Sequence, residues 1–125
     1  MPEKTILLID DEPDIARMIQ ITLTALVNWQ VLIAESGEAG IPMAINHQPD
    51  AILLDMMMPG MSGREVFQQL QQSTLTASIP VIFLTAKIRN NTVNSYSDLN
   101  ISGCIPKPFN AAELPTQISR ILNWE

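Results

Sequence analysis

The chain contains a single cysteine, Cys104, which rules out an intramolecular disulfide or a multi-cysteine metal site. Basic residues are few and scattered: seven Lys and Arg against thirteen Asp and Glu, for a net charge of −6. Direct binding to nucleic acid needs clustered Lys and Arg on one face, so that class is not expected. No apolar run approaches the ~18 residues of a membrane span. The start, Met1-Pro2-Glu3-Lys4, leads into only five apolar-run residues before Asp10, too short for the core of a signal peptide. The expectation is a soluble, cytoplasmic protein with no membrane insertion. There are no internal repeats, low-complexity tracts or linkers. No glycine-rich loop follows the first apolar run. Where a dinucleotide- or flavin-binding fold would carry one, Asp10-Asp11-Glu12 would repel a pyrophosphate.

What is present is a packed globular composition, 46% hydrophobic and 16% charged over 125 residues. That length is one ordinary domain, able to bury roughly two thirds of its unfolded surface. Residues 1–125 are expected to form a single domain with no output domain, because the pattern ends with the last helix.

Thr5-Ile6-Leu7-Leu8-Ile9 is a short, continuous, partly β-branched apolar run, the signature of a strand buried on both faces. It stops at Asp10-Asp11-Glu12-Pro13-Asp14. Pro13 or Asp14 opens a helix over about 13–27, with Ile15, Ile19, Leu23 and Leu26 at helical spacing. A strand over 29–34 and a helix capped by Ser36 and running to about 46 follow. Pro42 inside that helix should cost about 3 kcal/mol and has no explanation in the sequence. Residues 50–54 form a third buried strand ending at Asp55. Met56 to Met61 is a loop, and Ser62 caps a helix through about 72. Residues 79–84 form a fourth strand ending at Thr85. The 87–99 segment is polar and weakly helical. A short fifth strand over 102–105 precedes Pro106-Lys107-Pro108. Asn110 and Glu113 resemble a capping box for a last helix to about 122, with Pro115 near its first turn.

Five strand–helix alternations predict a doubly wound α/β fold: a five-stranded parallel sheet with right-handed crossovers and helices on both faces. Ligands in such sheets bind beyond the carboxyl ends of the strands. The residues there are Asp10 and Asp11, Asp55, Thr85 and Lys107. An order of 2-1-3-4-5, the flavodoxin-like arrangement, would bring them into one pocket. Three carboxylates at close quarters require a cation, and oxygen-only ligands favour Mg²⁺. One carboxylate is then available as a nucleophile that forms an acyl phosphate. Lys107 can pair with the new phosphate and Thr85 can donate a hydrogen bond to it.

The segments ILLIDDE (6–12), ILLDMMMPGMSG (52–63), VIFLTA (81–86) and PKPF (106–109) together resemble the receiver domain of two-component response regulators, similar to the stand-alone chemotaxis regulator. The resemblance extends over about residues 4–122. It implies that Asp55 is the phosphoacceptor, that Asp10 and Asp11 hold Mg²⁺, and that Met57 lends a backbone carbonyl. It also implies that Thr85 is the switch hydroxyl, Ala86 the small residue beside the phosphate, and Lys107 the phosphate-pairing lysine, with a cis Lys107–Pro108 bond. A sensor histidine kinase or phosphotransfer protein would supply the phosphoryl group. The domain would catalyse its own phosphorylation and slow hydrolysis. The output would be a downstream protein target, met through the 87–99 segment, the fifth strand and the last helix. A phosphorylation-dependent dimer stays open. The family's aromatic switch residue lies three positions before the lysine. Here that position is Cys104, so aromatic-ring coupling in its usual form cannot operate.

Three other readings stand beside this one. A haloacid-dehalogenase-type phosphatase would want an Asp two residues after the nucleophile, where Asp55 is followed by Met57. A flavin or dinucleotide binder would want the missing phosphate loop. A docking module working without phosphate is compatible with Cys104. Glu12 and Asp14 read as helix-start acids, the methionines at 56–58 and 61 as packing residues, Cys104 as a small apolar residue, and His47 as structural. Arg64, Lys87 and Arg89 read as surface charges, with Lys87 able to affect water access to the phosphate.

Overall fold

The computed structural model describes residues 4–85, 101–107 and 109–124. Ala86, the 87–99 segment with Lys87 and Arg89, and the Lys107–Pro108 bond lie outside the described residues.

The strands are β1 (Thr5–Ile9), β2 (Gln30–Ala34), β3 (Ala51–Asp55), β4 (Val81–Thr85) and β5 (Gly103–Pro106). They form one parallel sheet in the order β2-β1-β3-β4-β5, as expected. The α-helices among the described residues are α1 (Pro13–Val27), α2 (Gly37–His47), α3 (Gly63–Gln72) and α4 (Leu114–Leu122). Strand side chains alternate between two cores. Ile6, Leu8, Leu53, Ile82 and Leu84 face the core that contains Ala16, Ile19 and Leu23 of α1 and Leu114 and Ile118 of α4. Leu7, Ile9, Ile52, Leu54 and Phe83 face the core that contains Ala44 of α2 and Val66, Phe67 and Leu70 of α3. This is why β1 and β3 read as apolar runs: every position from Ile6 to Ile9 and from Ala51 to Asp55 is buried from one side or the other.

Local chemistry sets the helix ends. Pro13 opens α1 at its first position, where no amide hydrogen is needed. Ser36 accepts a hydrogen bond from the Ala39 amide, and Ser62 forms a full capping box with Glu65. Asn28, Gln48 and Asn123 close α1, α2 and α4 in the left-handed conformation. Pro42 is accommodated because the bond it forfeits is to the carbonyl of Glu38. Both residues are exposed, so water can satisfy that carbonyl. Pro115 falls at the start of α4, where its missing amide costs nothing.

Two expectations need correction. Leu26 does not belong to the buried stripe of α1. It is 56% exposed, and the stripe is Ala16, Ile19 and Leu23. Asn110 does not open an α-helix through a capping box. Its side chain accepts from the Ala112 amide and caps a single 3₁₀ turn, Ala111–Glu113, and the α-helix begins at Leu114.

The free edge of β2 is partly blocked by side chains of α1. Gln20 Nε2 donates to the Val31 carbonyl at 2.8 Å and Thr24 Oγ1 to the Trp29 carbonyl at 3.0 Å. That removes acceptors from an edge otherwise open to pairing with another chain. No helix among the described residues is long and apolar enough to cross a membrane.

Candidate metal and phosphoryl site

Each strand of the central trio ends in the same direction and delivers a polar residue to the same edge. Asp10 directly follows β1 and extends the ladder, its amide donating to the Ala34 carbonyl at 3.0 Å. The residue is fully buried. Its Oδ1 accepts the Glu12 amide at 2.9 Å. Its Oδ2 is buried with no hydrogen-bond partner. Asp11 is half-buried beside it. Asp55, the last residue of β3, is 2% exposed, and its Oδ1 accepts the Met57 amide at 3.1 Å. Carboxylate oxygens of Asp10, Asp11 and Asp55 lie within 4.8 Å of one another.

Lys107 enters from the far side. Its amide donates to the Thr85 carbonyl at 2.7 Å, which fixes its backbone to the end of β4. Its Nζ is 3.2 Å from Asp55 Oδ1 and 4.0 Å from Asp10 Oδ2. Thr85 is buried at the end of β4, paired in register with Pro106. Asp10, Asp11, Asp55 and Lys107 are thus gathered, with Thr85 on the adjoining strand end. Met57 is next to Asp55, its side chain 75% exposed and its amide turned onto the carboxylate.

The chain after β3 must turn sharply to leave this edge clear. Gly60 makes the turn with φ +80°, a conformation that favours glycine. Gly63 opens α3 hard against the strand end: a Cβ there would lie 2.7 Å from the Asp55 carbonyl oxygen and 2.8 Å from Met56 Cα. Any side chain at 63 would push β3's end out of position.

The charges are in conflict. Burial pushes the Asp10 carboxyl up to about 6 from its ordinary 3.8, and the Asp55 and Glu12 charges push the same way. The Glu12 amide and Lys107 oppose them only in part. Among the described residues, the Lys107 ammonium alone faces these acids, which leaves their charge only partly balanced. A buried carboxylate oxygen without a hydrogen-bond partner, in a cluster of three carboxylates, fits a hard divalent cation.

At the position of the expected aromatic residue, Cys104 lies half-buried on β5 opposite Phe83 and packs against the α2–α3 core. Burial pushes its thiol above the ordinary value, which disfavours a reactive thiolate.

The response regulator receiver domain model matches residues 6–119. The chain belongs to this family. It is 36% identical over 122 residues to the phosphate regulon transcriptional regulatory protein PhoB of Pseudomonas aeruginosa, a match covering 98% of the chain and 53% of PhoB. The chain therefore spans about half the length of the curated relatives it matches. Among solved structures, the chemotaxis protein CheY4 of Vibrio cholerae superposes with a TM-score of 0.86 at 25% identity, covering 94% of this chain and 97% of that one. The receiver domain of the sensor histidine kinase PA1611 of Pseudomonas aeruginosa superposes with a TM-score of 0.83 at 25% identity, covering 96% and 98%. That structure carries a magnesium ion in its active-site cleft. The chain is a receiver of the phosphoacceptor type, with the flavodoxin-like fold of its relatives.

Strand ends were enough to find the acidic residues and the lysine. One participant was not found from sequence: the Glu12 side chain, 3.8 Å from Lys107 Nζ. In sequence it is one more acid at a helix start, and nothing in the spacing says that it faces the lysine. Of the expected output face, the 87–99 segment, the fifth strand and the last helix, only β5 and α4 fall among the described residues.

Proposed function

We propose that Asp55 of this receiver domain, which comprises residues 1–125, accepts a phosphoryl group from a phosphohistidine on a sensor kinase or phosphotransfer protein. Asp10, Asp11, Asp55 and the Met57 carbonyl would hold Mg²⁺, and the phosphorylated domain would signal through a protein-binding face around β5 and α4. The observation that carries this reading is the buried Asp55 carboxylate, 3.2 Å from the Lys107 ammonium and in one cluster with Asp10 and Asp11.

In the transfer, an Asp55 carboxylate oxygen forms a bond to phosphorus as the donor's phosphorus–nitrogen bond breaks; the electron pair leaves with the ring nitrogen, which takes a proton from solvent to give neutral imidazole. When bound, Mg²⁺ supplies positive charge that screens the carboxylates and the transferring phosphoryl oxygens. Lys107 pairs with one phosphoryl oxygen and the Thr85 hydroxyl donates to another, moving toward the group that has appeared beside it. Hydrolysis of the acyl phosphate returns the carboxylate and resets the domain.

The test uses Mg²⁺ and a small acyl-phosphate donor, read by intact mass. The wild type should gain ~80 Da, one phosphoryl group, and Asp55→Asn should gain nothing. No adduct on a protein that binds Mg²⁺ would point to docking without phosphate. Turnover of many phosphate esters would point to a phosphatase.

A further inference from the structure

Glu12 occupies the N-cap position of α1 with an extended backbone, φ −101° and ψ 101°. Side chains at this position commonly accept a hydrogen bond from the first-turn amides. The Glu12 side chain makes no such bond. It is 54% exposed and turns toward Lys107, with Oε1 3.8 Å from Nζ. The Lys107 side chain is 18% exposed, so its ammonium has little water to fall back on. It is held on the inner side by Asp55 at 3.2 Å and on the outer side by Glu12. The Glu12 amide meanwhile donates to Asp10 Oδ1 at 2.9 Å, which ties the Glu12 backbone to the cluster and leaves its side chain to face the lysine.

Given Asp55 as the phosphoacceptor, on which this inference rests, we infer that Glu12 is a positioning residue that draws Lys107 toward the rim and restrains phosphoryl uptake. An incoming phosphoryl group needs the Lys107 ammonium on its own oxygens. Each arrangement in which the ammonium leans toward Glu12 is one in which it is not placed for transfer, and the rate falls by that fraction. Glu12→Gln removes the competing charge, keeps the side-chain length and disturbs no cap bond. An ion pair with one exposed partner is worth less than about 1 kcal/mol, so uptake should be about two- to fivefold faster.

Removing an acid near the pocket also makes it less repellent to an anionic donor, an effect that does not pass through Lys107. Glu12→Asp separates the two. It keeps the charge but withdraws the carboxylate from the lysine, and aspartate is a favoured N-cap that turns to the α1 amides instead. The experiment is the initial rate of adduct formation from a small acyl phosphate at saturating Mg²⁺, read by intact mass, for wild type, Glu12→Gln, Glu12→Asp and the exposed first-turn control Asp14→Asn. Both Glu12 variants should be two- to fivefold faster, with Asp14→Asn within about 1.5-fold of wild type. Acceleration in Glu12→Gln alone would assign the effect to bulk charge and overturn the proposal. Unchanged or slower uptake in both variants would overturn it as well, leaving Asp55 as acceptor untouched. A wild type that takes up no phosphoryl group would remove the underlying reading itself.

Discussion

At the amino end of the sheet, Trp29 and Trp124 meet edge to face with ring centroids 5.4 Å apart, and Lys4 Nζ lies 4.6 Å from the Trp124 centroid. Asp50, also at that end, accepts the Thr5 amide at 2.7 Å. At the carboxyl end of the same strands, Asp10 is buried with one oxygen unpartnered, close to two further carboxylates. Both ends carry acids and a lysine. At the first, the Asp50 carboxylate, the Lys4 ammonium and both indole rings each have a partner, and the aromatic pair seals the bottom of the α1–α4 core. At the second, like charges are held together largely out of water, a destabilising arrangement that a bound cation would relieve. The fold is stabilised at one end and gives up stability at the other, where the proposed site lies.

Substitutions at the two ends should therefore have opposite consequences. The largest effect is expected from Trp124→Ala, which removes the aromatic pair and the cation–π contact. It should lower unfolding free energy by about 2 kcal/mol in urea titration while leaving phosphoryl uptake per folded molecule unchanged. A fall in uptake matching the loss of stability would mean that the two ends are coupled. Asp10→Asn should do the reverse. The amide can still accept from Glu12, the buried charge is gone, and the metal-free domain should gain about 1–2 kcal/mol while losing uptake.

That gain should depend on pH in a defined sense. The folded-state pKa of Asp10, about 6, is above the ordinary 3.8, so the folded protein binds this proton more tightly than the unfolded chain. The wild-type penalty is therefore complete above pH 6 and disappears as pH falls toward 4. The difference in stability between Asp10→Asn and wild type, measured without metal, should shrink over that same window. A constant difference from pH 4 to 7 would show that the Asp10 charge is not its origin. The smallest effect belongs to the satisfied acid: Asp50→Ala should cost roughly 0.5–1 kcal/mol and leave uptake alone.

The two ends were not equally legible in the sequence. The strands announced themselves as short apolar runs, and the topology followed from their alternation with helices. The polar residue after each run then indicated the carboxyl-end site, because a buried strand that stops at an acid places that acid at a predictable edge. The amino end had no such signal. Trp29 and Trp124 are far apart in sequence, and only the return of α4 across the sheet brings them together. The adjacent acids Asp10 and Asp11 look equivalent as letters, yet one is fully buried and the other half-exposed, a difference set by which of them continues the β1 ladder. Periodicity alone also assigned Leu26 to the buried face of α1. The buried stripe of that helix passes from Leu23 to Val27, which packs against the same core, and Leu26 lies off it.

The most direct measurement is the thermal midpoint of wild type and Asp10→Asn with and without Mg²⁺ at pH 7.5. The charge conflict at the carboxyl end predicts that Asp10→Asn melts higher without the ion, and that saturating Mg²⁺ raises the wild type by several degrees while moving the variant little. An equal rise in both proteins, or none in the wild type, would contradict the assignment of the unpartnered Asp10 oxygen to a cation.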